Sequence, residues 1–476
     1  MPLVGAFMVP HPPLIVAEVG KGGEKEVQAT VDSYRAVAAE IARLAPETII
    51  VSSPHSIMYS DYFHVSPGSG ATGSFARFGA PQVAFSESYD TELVAAIRRE
   101  AAAVSLRAGT DGEKDASLDH GTMVPLYFVR QFYTDFRLVR IGLSGQSYRE
   151  HYRFGQCIQQ AVEALGRRAL FIASGDLSHK LSASGPYGFA PEGPEYDRRI
   201  MDVMARADFG ALFDFDADFC GKAAECGHRS FIIMAGALDG VSVKARCYSH
   251  EGTTGVGYGI CSYLPAAPGD GGDGSREFLV QYEAKEQKRL AENRRREDVY
   301  VQLARRTVEL YTKEGSVPRV EGGRALFPDG TELALPEDML VRQAGIFVSL
   351  HLDGQLRGCI GTIGATEPSI AEEIVHNAVS ACSRDPRFDR VREGELSSIE
   401  YSVDVLGPVE AISSPEQLDV KRYGVICSKG SRRGLLLPNL DGVDTVDRQI
   451  EIACRKGGIS LSEQPDLSRF EVVRHY

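Results

Sequence analysis

Side chains able to bind metals or move protons are gathered in short, separated stretches of the first half of the chain. These are Val9-Pro10-His11-Pro12, Ser53-Pro54-His55, Leu118-Asp119-His120-Gly121 and Ser174-Gly175-Asp176-Leu177-Ser178-His179, followed by Glu225-Cys226-Gly227-His228. Imidazole nitrogen, carboxylate oxygen and thiolate sulfur are ligands of transition metals, and imidazole also exchanges protons near neutral pH. Eight of the eleven histidines precede residue 265, which places a metal or proton-transfer site in that half. Taken singly, each of these histidines is more often a surface or structural residue; their joint placement is what carries the argument. Further on, Leu356-Arg357-Gly358-Cys359-Ile360-Gly361-Thr362 sets a thiol between glycines. Gly358 and Gly361 allow close backbone approach beside a strand, and Arg357 and Cys359 are expected on opposite faces of it. Cys359 reads as a nucleophile or as an inert buried thiol; no base adjoins it in sequence, which favours the second reading.

The elements around these stretches explain how they could meet. An apolar run over 3–9 has strand length and halts at Pro10, Pro12 and Pro13, so His11 sits in a stiff loop just past a strand end. Short apolar runs over 48–51 and 169–173 place His55, and Asp176 with His179, in the same way. Helical patterns over 24–44, 89–103, 148–165, 194–205 and 222–238 separate the strands, and runs over 241–249 and 256–264 read as closing strands. Alternation of strand and helix implies an α/β fold, an open mixed sheet with helices on both faces. Ligands of such sheets bind beyond the carboxyl ends of the strands, where His11, His55, Asp176 and His179 all fall.

A Pro-, Gly- and Asp-rich segment over 265–275 then reads as a flexible linker and opens a charged helical pattern over 277–311. Beyond it, Asp353-Gly354 between two apolar runs signals a tight hairpin, a helix is expected over 368–382, and strands over 399–406, 424–428, 434–437 and 469–475 flank a helix over 444–456. The expected division is a first domain at 1–264, a linker and charged connector at 265–296, and a smaller α+β domain at 297–476.

Composition sets the outer limits. The chain is 43% hydrophobic and 25% charged, with a formal net charge of −13. No basic block dominates, so no nucleic-acid partner is expected. No long apolar run predicts a membrane span, and no basic region precedes an apolar signal segment. Nine cysteines without a CxxC pair fit a reduced, cytoplasmic protein better than a disulfide framework.

Residues 1–264 resemble class III extradiol ring-cleavage dioxygenases, on Val-Pro-His11-Pro, Ser-Pro-His55, Leu-Asp119-His120-Gly121-Thr and Ser-Gly-Asp176-Leu-Ser-His179. They are also similar to MEMO-like proteins, which share the fold and pocket. The resemblance implies a non-haem Fe(II) oxidoreductase that opens a catechol-like aromatic with O2. His11, His55 and Glu225 would be ligands, His179 the acid–base group, Asp176 its orienting carboxylate and His120 a contact to substrate or O2. Cys226 is the alternative third ligand; it would make the site MEMO-like and suit zinc or copper. Many extradiol enzymes carry a small residue where Asp176 stands, and the MEMO-like branch an aspartate. Residues 297–476 are similar to the AMMECR1 family, on Leu356-Arg357-Gly358-Cys359-Ile360-Gly361-Thr362, Arg384-Asp385-Pro386-Arg387-Phe388 and Cys454-Arg455-Lys456-Gly457-Gly458. That resemblance names a domain without a settled reaction and implies, as the alternative function, a metal protein working with a radical-SAM partner. A pure interaction scaffold is the third reading, and a homo-oligomer is left open.

Overall fold

The computed structural model describes residues 3–266, 276–440 and 442–476, so most of the linker expected over 265–275 lies outside the described residues. The chain divides into two compact units, Met1–Ala284 and Lys285–Tyr476. The division falls inside a helix, Phe278–Arg296. Its first turns belong to the first unit, where Tyr282 stacks on Phe213 at 4.3 Å. Its last turns belong to the second, where Arg289 pairs with Glu400 and Arg294 donates to the Leu396 carbonyl. The helical pattern expected without interruption over 277–311 breaks at Asp298, whose side chain accepts from the N–H groups of Tyr300 and Val301 and starts a new helix, Val299–Glu314.

Six strands build the first unit's main sheet: β1 (Leu3–Val9), β2 (Thr48–Ser53), β3 (Arg137–Gly142), β4 (Ala169–Ser174), β5 (Val243–Glu251) and β6 (Tyr258–Pro265). Their spatial order is β3-β2-β4-β1-β6-β5. The first four run parallel, and β6 and β5 add an antiparallel edge. The central strands β1, β2 and β4 are buried at nearly every position because both faces are covered. Ala6, Met8, Ile50, Phe171 and Ala173 pack with the helices Thr91–Ala103, Tyr148–Leu165 and His228–Ala237. Their alternating neighbours Phe7, Val9, Ile49, Val51, Leu170 and Ile172 pack with Gln28–Leu44 and His120–Val129. Each fully buried Phe or Ile in these layers contributes roughly 2 kcal/mol. Because β1 and β2 lie on either side of β4, their carboxyl ends open onto one rim.

A single helix over 222–238 does not form. Ala217–Ala223 ends with Ala224 in the left-handed region at φ 53°, and His228–Ala237 starts afresh. The interruption, Ala224–Gly227, is the segment that carries Glu225 and Cys226. Outside the main sheet, the strands Gly70–Phe75 and Ala80–Ser88 form an antiparallel pair. Its Gly- and Ser-rich first strand has too little apolar alternation to read from sequence.

The second unit is α+β. Its principal strands are β7 (Ile346–Leu352), β8 (Gln355–Gly361), β9 (Ile399–Leu406), β10 (Tyr423–Lys429), β11 (Arg432–Leu436) and β12 (Asp466–His475). They lie in the order β8-β7-β9-β12-β10-β11, with the short strand Glu410–Ile412 also on β12. The turn between β7 and β8 has Asp353 and Gly354 both at positive φ, 51° and 73°, which two-residue hairpins require. Helices Val299–Glu314 and Ile370–Ser383 bury Leu303, Val308, Ile374 and Ala378 against Ile346, Val348 and Leu350.

Candidate metal centre

His11 emerges two residues past the end of β1 and is 1% exposed. Its backbone N–H donates to Asp176 Oδ1 at 2.7 Å, and its Nδ1 lies 2.9 Å from Ser174 Oγ. Ser174 Oγ donates its one proton to the Gly121 carbonyl at 2.6 Å, so towards His11 it accepts. Nδ1 is therefore the protonated nitrogen, and the Nε2 lone pair faces the rim, as in metal-ligating histidines held by a partner behind them. Tyr34 secures the loop by donating its hydroxyl proton to the Pro10 carbonyl. Sequence spacing gives no sign of Tyr34 at the site, and Ser174 is marked there only as the first residue of the run that also holds Asp176 and His179.

His55 Nε2 lies 2.9 Å from His11 Nε2. The His55 loop is tied to Asp119, which accepts from Ser53 Oγ at 2.5 Å and caps its own helix through the Thr122 N–H at 3.0 Å. The same cap places the His120 ring 3.9 Å from that of His55 and 5.5 Å from that of His11. Burial, then the neighbouring rings of His55 and His11, hold His120 down at about 4. Burial first, then His55, also holds His11 well below the usual histidine range. These rings are neutral donors, the form that coordinates a metal.

Cys226 completes the group. Its Sγ lies 3.7 Å from His11 Nε2, and the ligand atoms of His11, His55 and Cys226 lie within 4.8 Å of one another. Glu225, the other candidate for third ligand, is not in this group: its carboxylate turns back to accept from the His228 N–H at 2.6 Å, starting the next helix. Burial raises its pKa to about 7 in that position. A backbone contact that the sequence did not reveal puts Cys226 where it is. Gly175 and Gly227 touch so closely that a Cβ on Gly175 would lie 2.1 Å from the Gly227 Cα. This presses the Ala224–Gly227 segment onto the loop after β4, where the Asp176 N–H points at Cys226 Sγ at 3.2 Å.

On the far side of Cys226, His179 donates through Nδ1 to the Ala224 carbonyl. Its Nε2 faces Asp176 Oδ2 at 3.9 Å. Asp176, His179 and Cys226 form a second group of converging ligand atoms that shares the thiol. Burial raises the Asp176 carboxyl, opposed by the His11 N–H. His250 lies behind this layer: it pairs with Asp197 Oδ2 at 3.0 Å, while Asp197 Oδ1 accepts from the Ser178 N–H at 2.8 Å. Glu251 lies apart and accepts from Thr30 at the start of the helix Gln28–Leu44.

In the second unit, Cys359 Sγ accepts from Ser349 Oγ at 3.3 Å. Arg357 instead clasps Glu395 at 2.7 Å and the Asp389 carbonyl at 2.8 Å. The two do point apart, although strict alternation would put residues two positions apart on one face. The register shift between Leu350 and His351 leaves Arg357 as the extra residue of a bulge and resets the pattern. Gly358 meets the helix Ile370–Ser383, where a Cβ would lie 2.4 Å from the Ala381 carbonyl, and Gly361 makes room for Phe347 at 2.3 Å.

A mixed α/β unit with metal-type donors on its carboxyl rim, joined to an α+β unit, is the class that fold and site define. Residues 5–261 match the family described as the catalytic LigB subunit of aromatic ring-opening dioxygenase, and residues 301–475 match the AMMECR1 family. The chain belongs to the LigB family and carries an AMMECR1 domain fused behind it. It is similar to protein CA_C1420 of Clostridium acetobutylicum, 40% identical over 485 residues that cover 100% of this chain and 99% of that protein. A Thermotoga maritima protein is 45% identical over 181 residues, 38% of this chain and 98% of its own. Among solved structures, the uncharacterized protein PH0010 of Pyrococcus horikoshii is 29% identical, with a TM-score of 0.32, covering 37% of this chain and 88% of that one. The uncharacterized protein JW3007 of Escherichia coli K12 is 13% identical, with a TM-score of 0.36, covering 54% and 99%. Among the described residues, no helix is long and apolar enough to cross a membrane.

Proposed function

We propose that the first unit binds one transition metal through His11, His55 and Cys226 and uses it on a small hydroxylated substrate, with His179 as the acid–base group. The observation that carries this reading is the convergence of the three ligand atoms while Glu225 is committed to the His228 N–H. Two imidazoles and a thiolate form a softer donor set than two imidazoles and a carboxylate, and suit copper or zinc. When bound, the metal supplies a Lewis acid that acidifies a coordinated hydroxyl. The protein's own part is to receive the proton. His179 takes it at Nε2, because Nδ1 is already donating to the Ala224 carbonyl, and the imidazolium so formed lies beside Asp176. His120, neutral at physiological pH, offers a ring nitrogen to the substrate from beside His55.

The match to ring-opening dioxygenases favours a second reading: Fe(II) bound by His11, His55 and Glu225, with O2 and a catechol-like aromatic as substrates. For that, the Glu225 carboxylate must leave the His228 N–H and turn to the rim. Cobalt substitution separates the two readings. A sulfur-to-cobalt charge-transfer band that vanishes in Cys226→Ser supports the thiolate site. Its absence from the wild type, with a yellow ring-opened product when Fe(II)-loaded protein meets catechols and air, supports the second.

A further inference from the structure

The second unit holds an open cavity of about 990 Å³, lined wholly from residues 290–476, that the first unit's chemistry does not use. Its size is at the upper end of the roughly 300–1,000 Å³ typical of small-molecule sites. Phe347, Ile363, Leu435 and Leu437, which pack in one apolar cluster, form part of its lining, and Leu356 lines it further along the hairpin. Among its charged lining residues, the balance runs against that of the chain. Arg294, Arg296, Arg387, Lys456 and Arg474 line it against Glu297, Glu400 and Asp404, in a protein whose net charge is −13.

The three carboxylates are already occupied. Glu297 holds Arg305 at 2.8 Å, Glu400 holds Arg289 at 2.8 Å and Asp404 holds Arg474 at 2.6 Å. Arg387 is likewise held by Asp385 at 2.7 Å. Lys456, at the end of the helix Val446–Lys456, makes no ion pair among the described residues and has Cys359 and Arg387 as its charged or titratable neighbours. Desolvation lowers the Lys456 ammonium's pKa, opposed by Cys359 and aided by repulsion from Arg387.

We propose that this cavity is a binding site for an aryl anion, its carboxylate or phosphate on Lys456 beside Cys359 and its ring on the apolar surface of Phe347 and Leu435. A neutral aromatic would leave the ammonium without an ion pair, and an inorganic anion would leave the apolar surface wet. Specificity therefore requires both parts in one molecule.

The full-length protein is titrated with 1-anilinonaphthalene-8-sulfonate, an aromatic anion whose fluorescence rises on binding. Competitors are 1-naphthoate, 1-naphthyl phosphate and the neutral 1-naphthylmethanol; the first two distinguish carboxylate from phosphate ligands. Alkylation of Cys359 by iodoacetate, in which the thiolate sulfur displaces iodide, is followed by peptide mass spectrometry with and without the probe. The expected result is saturable binding, displacement by one or both anions but not by the alcohol, and protection of Cys359. Binding should weaken by roughly tenfold or more in Lys456→Met and Lys456→Glu but not in Lys429→Gln, a surface lysine away from the cavity. Two variants at the exposed Lys456 guard against a folding defect in either, checked by circular dichroism. Unchanged affinity in both folded variants, equal displacement by the alcohol, or no protection of Cys359 overturns the proposal.

Discussion

Around His11, His55, His120 and Cys226, burial keeps the imidazoles uncharged, and the donor atoms crowd together without a counter-ion among them. Around Lys456 in the second unit, charged groups crowd together instead: each lining carboxylate is bound to an arginine, and lining cations, the Lys456 ammonium among them, outnumber the carboxylates. The first arrangement is short of a cation and the second of an anion. Two units of one chain thus show that a site is recognised by the charge its neighbours leave unbalanced, more than by the presence of reactive residues. Cys226 and Cys359 are both partly buried thiols raised by burial, yet among the described residues only Cys226 converges with imidazole nitrogens in a ligand group.

The comparison breaks most readily at the contact that builds the first site. Gly175→Ala forces a Cβ against the Gly227 backbone, which cannot yield cheaply. It should cost about 3 kcal/mol in urea unfolding, and it should abolish metal retention by lifting Cys226 away. A variant that keeps its metal would show that the thiol is not held by this contact. Ser174→Ala leaves the fold intact but frees the His11 ring to turn, and metal affinity should fall roughly 10- to 100-fold by competition with a chelating dye.

Away from either site, His64 tests whether uncharged burial is general in the first unit. It is fully buried with both ring nitrogens unpartnered among the described residues, and burial, then Arg140, pulls its pKa down to about 4. Its folded pKa lies below the unfolded one, so its contribution is present above about pH 6.5 and is lost as pH falls towards 4. His64→Phe should remove about 2 kcal/mol of the acid destabilisation measured between pH 7 and 4.5. The second unit should respond through Asp385 instead, which Arg387 holds down at about 2. That stability is present above about pH 3.8 and fades as pH falls through 2. Asp385→Asn should cost about 1 kcal/mol at pH 7 and leave metal content unchanged.

Much of this was legible in the residues. The apolar runs of β1, β2 and β4 and the prolines after β1 placed His11, His55, Asp176 and His179 on one rim, and Asp353-Gly354 announced its hairpin. The rest depended on contacts that sequence spacing does not encode. The pattern over 222–238 is helical throughout by composition, and only the left-handed Ala224 and the Gly175–Gly227 contact break it to deliver Cys226. Glu225 and Cys226 are adjacent, so no periodicity could separate the helix-starting carboxylate from the thiol at the rim. In the second unit, the motif around Cys359 was plain, but the unpaired Lys456 emerged only once the ion pairs of its neighbours were known.

The central claim is that Cys226, and not Glu225, joins His11 and His55 around a metal. Metal content of purified wild type, Cys226→Ser and Glu225→Gln, measured by mass spectrometry after identical growth, tests it directly. The account predicts near-stoichiometric metal in the wild type and Glu225→Gln and a large loss in Cys226→Ser. Retention in Cys226→Ser with loss in Glu225→Gln would contradict it.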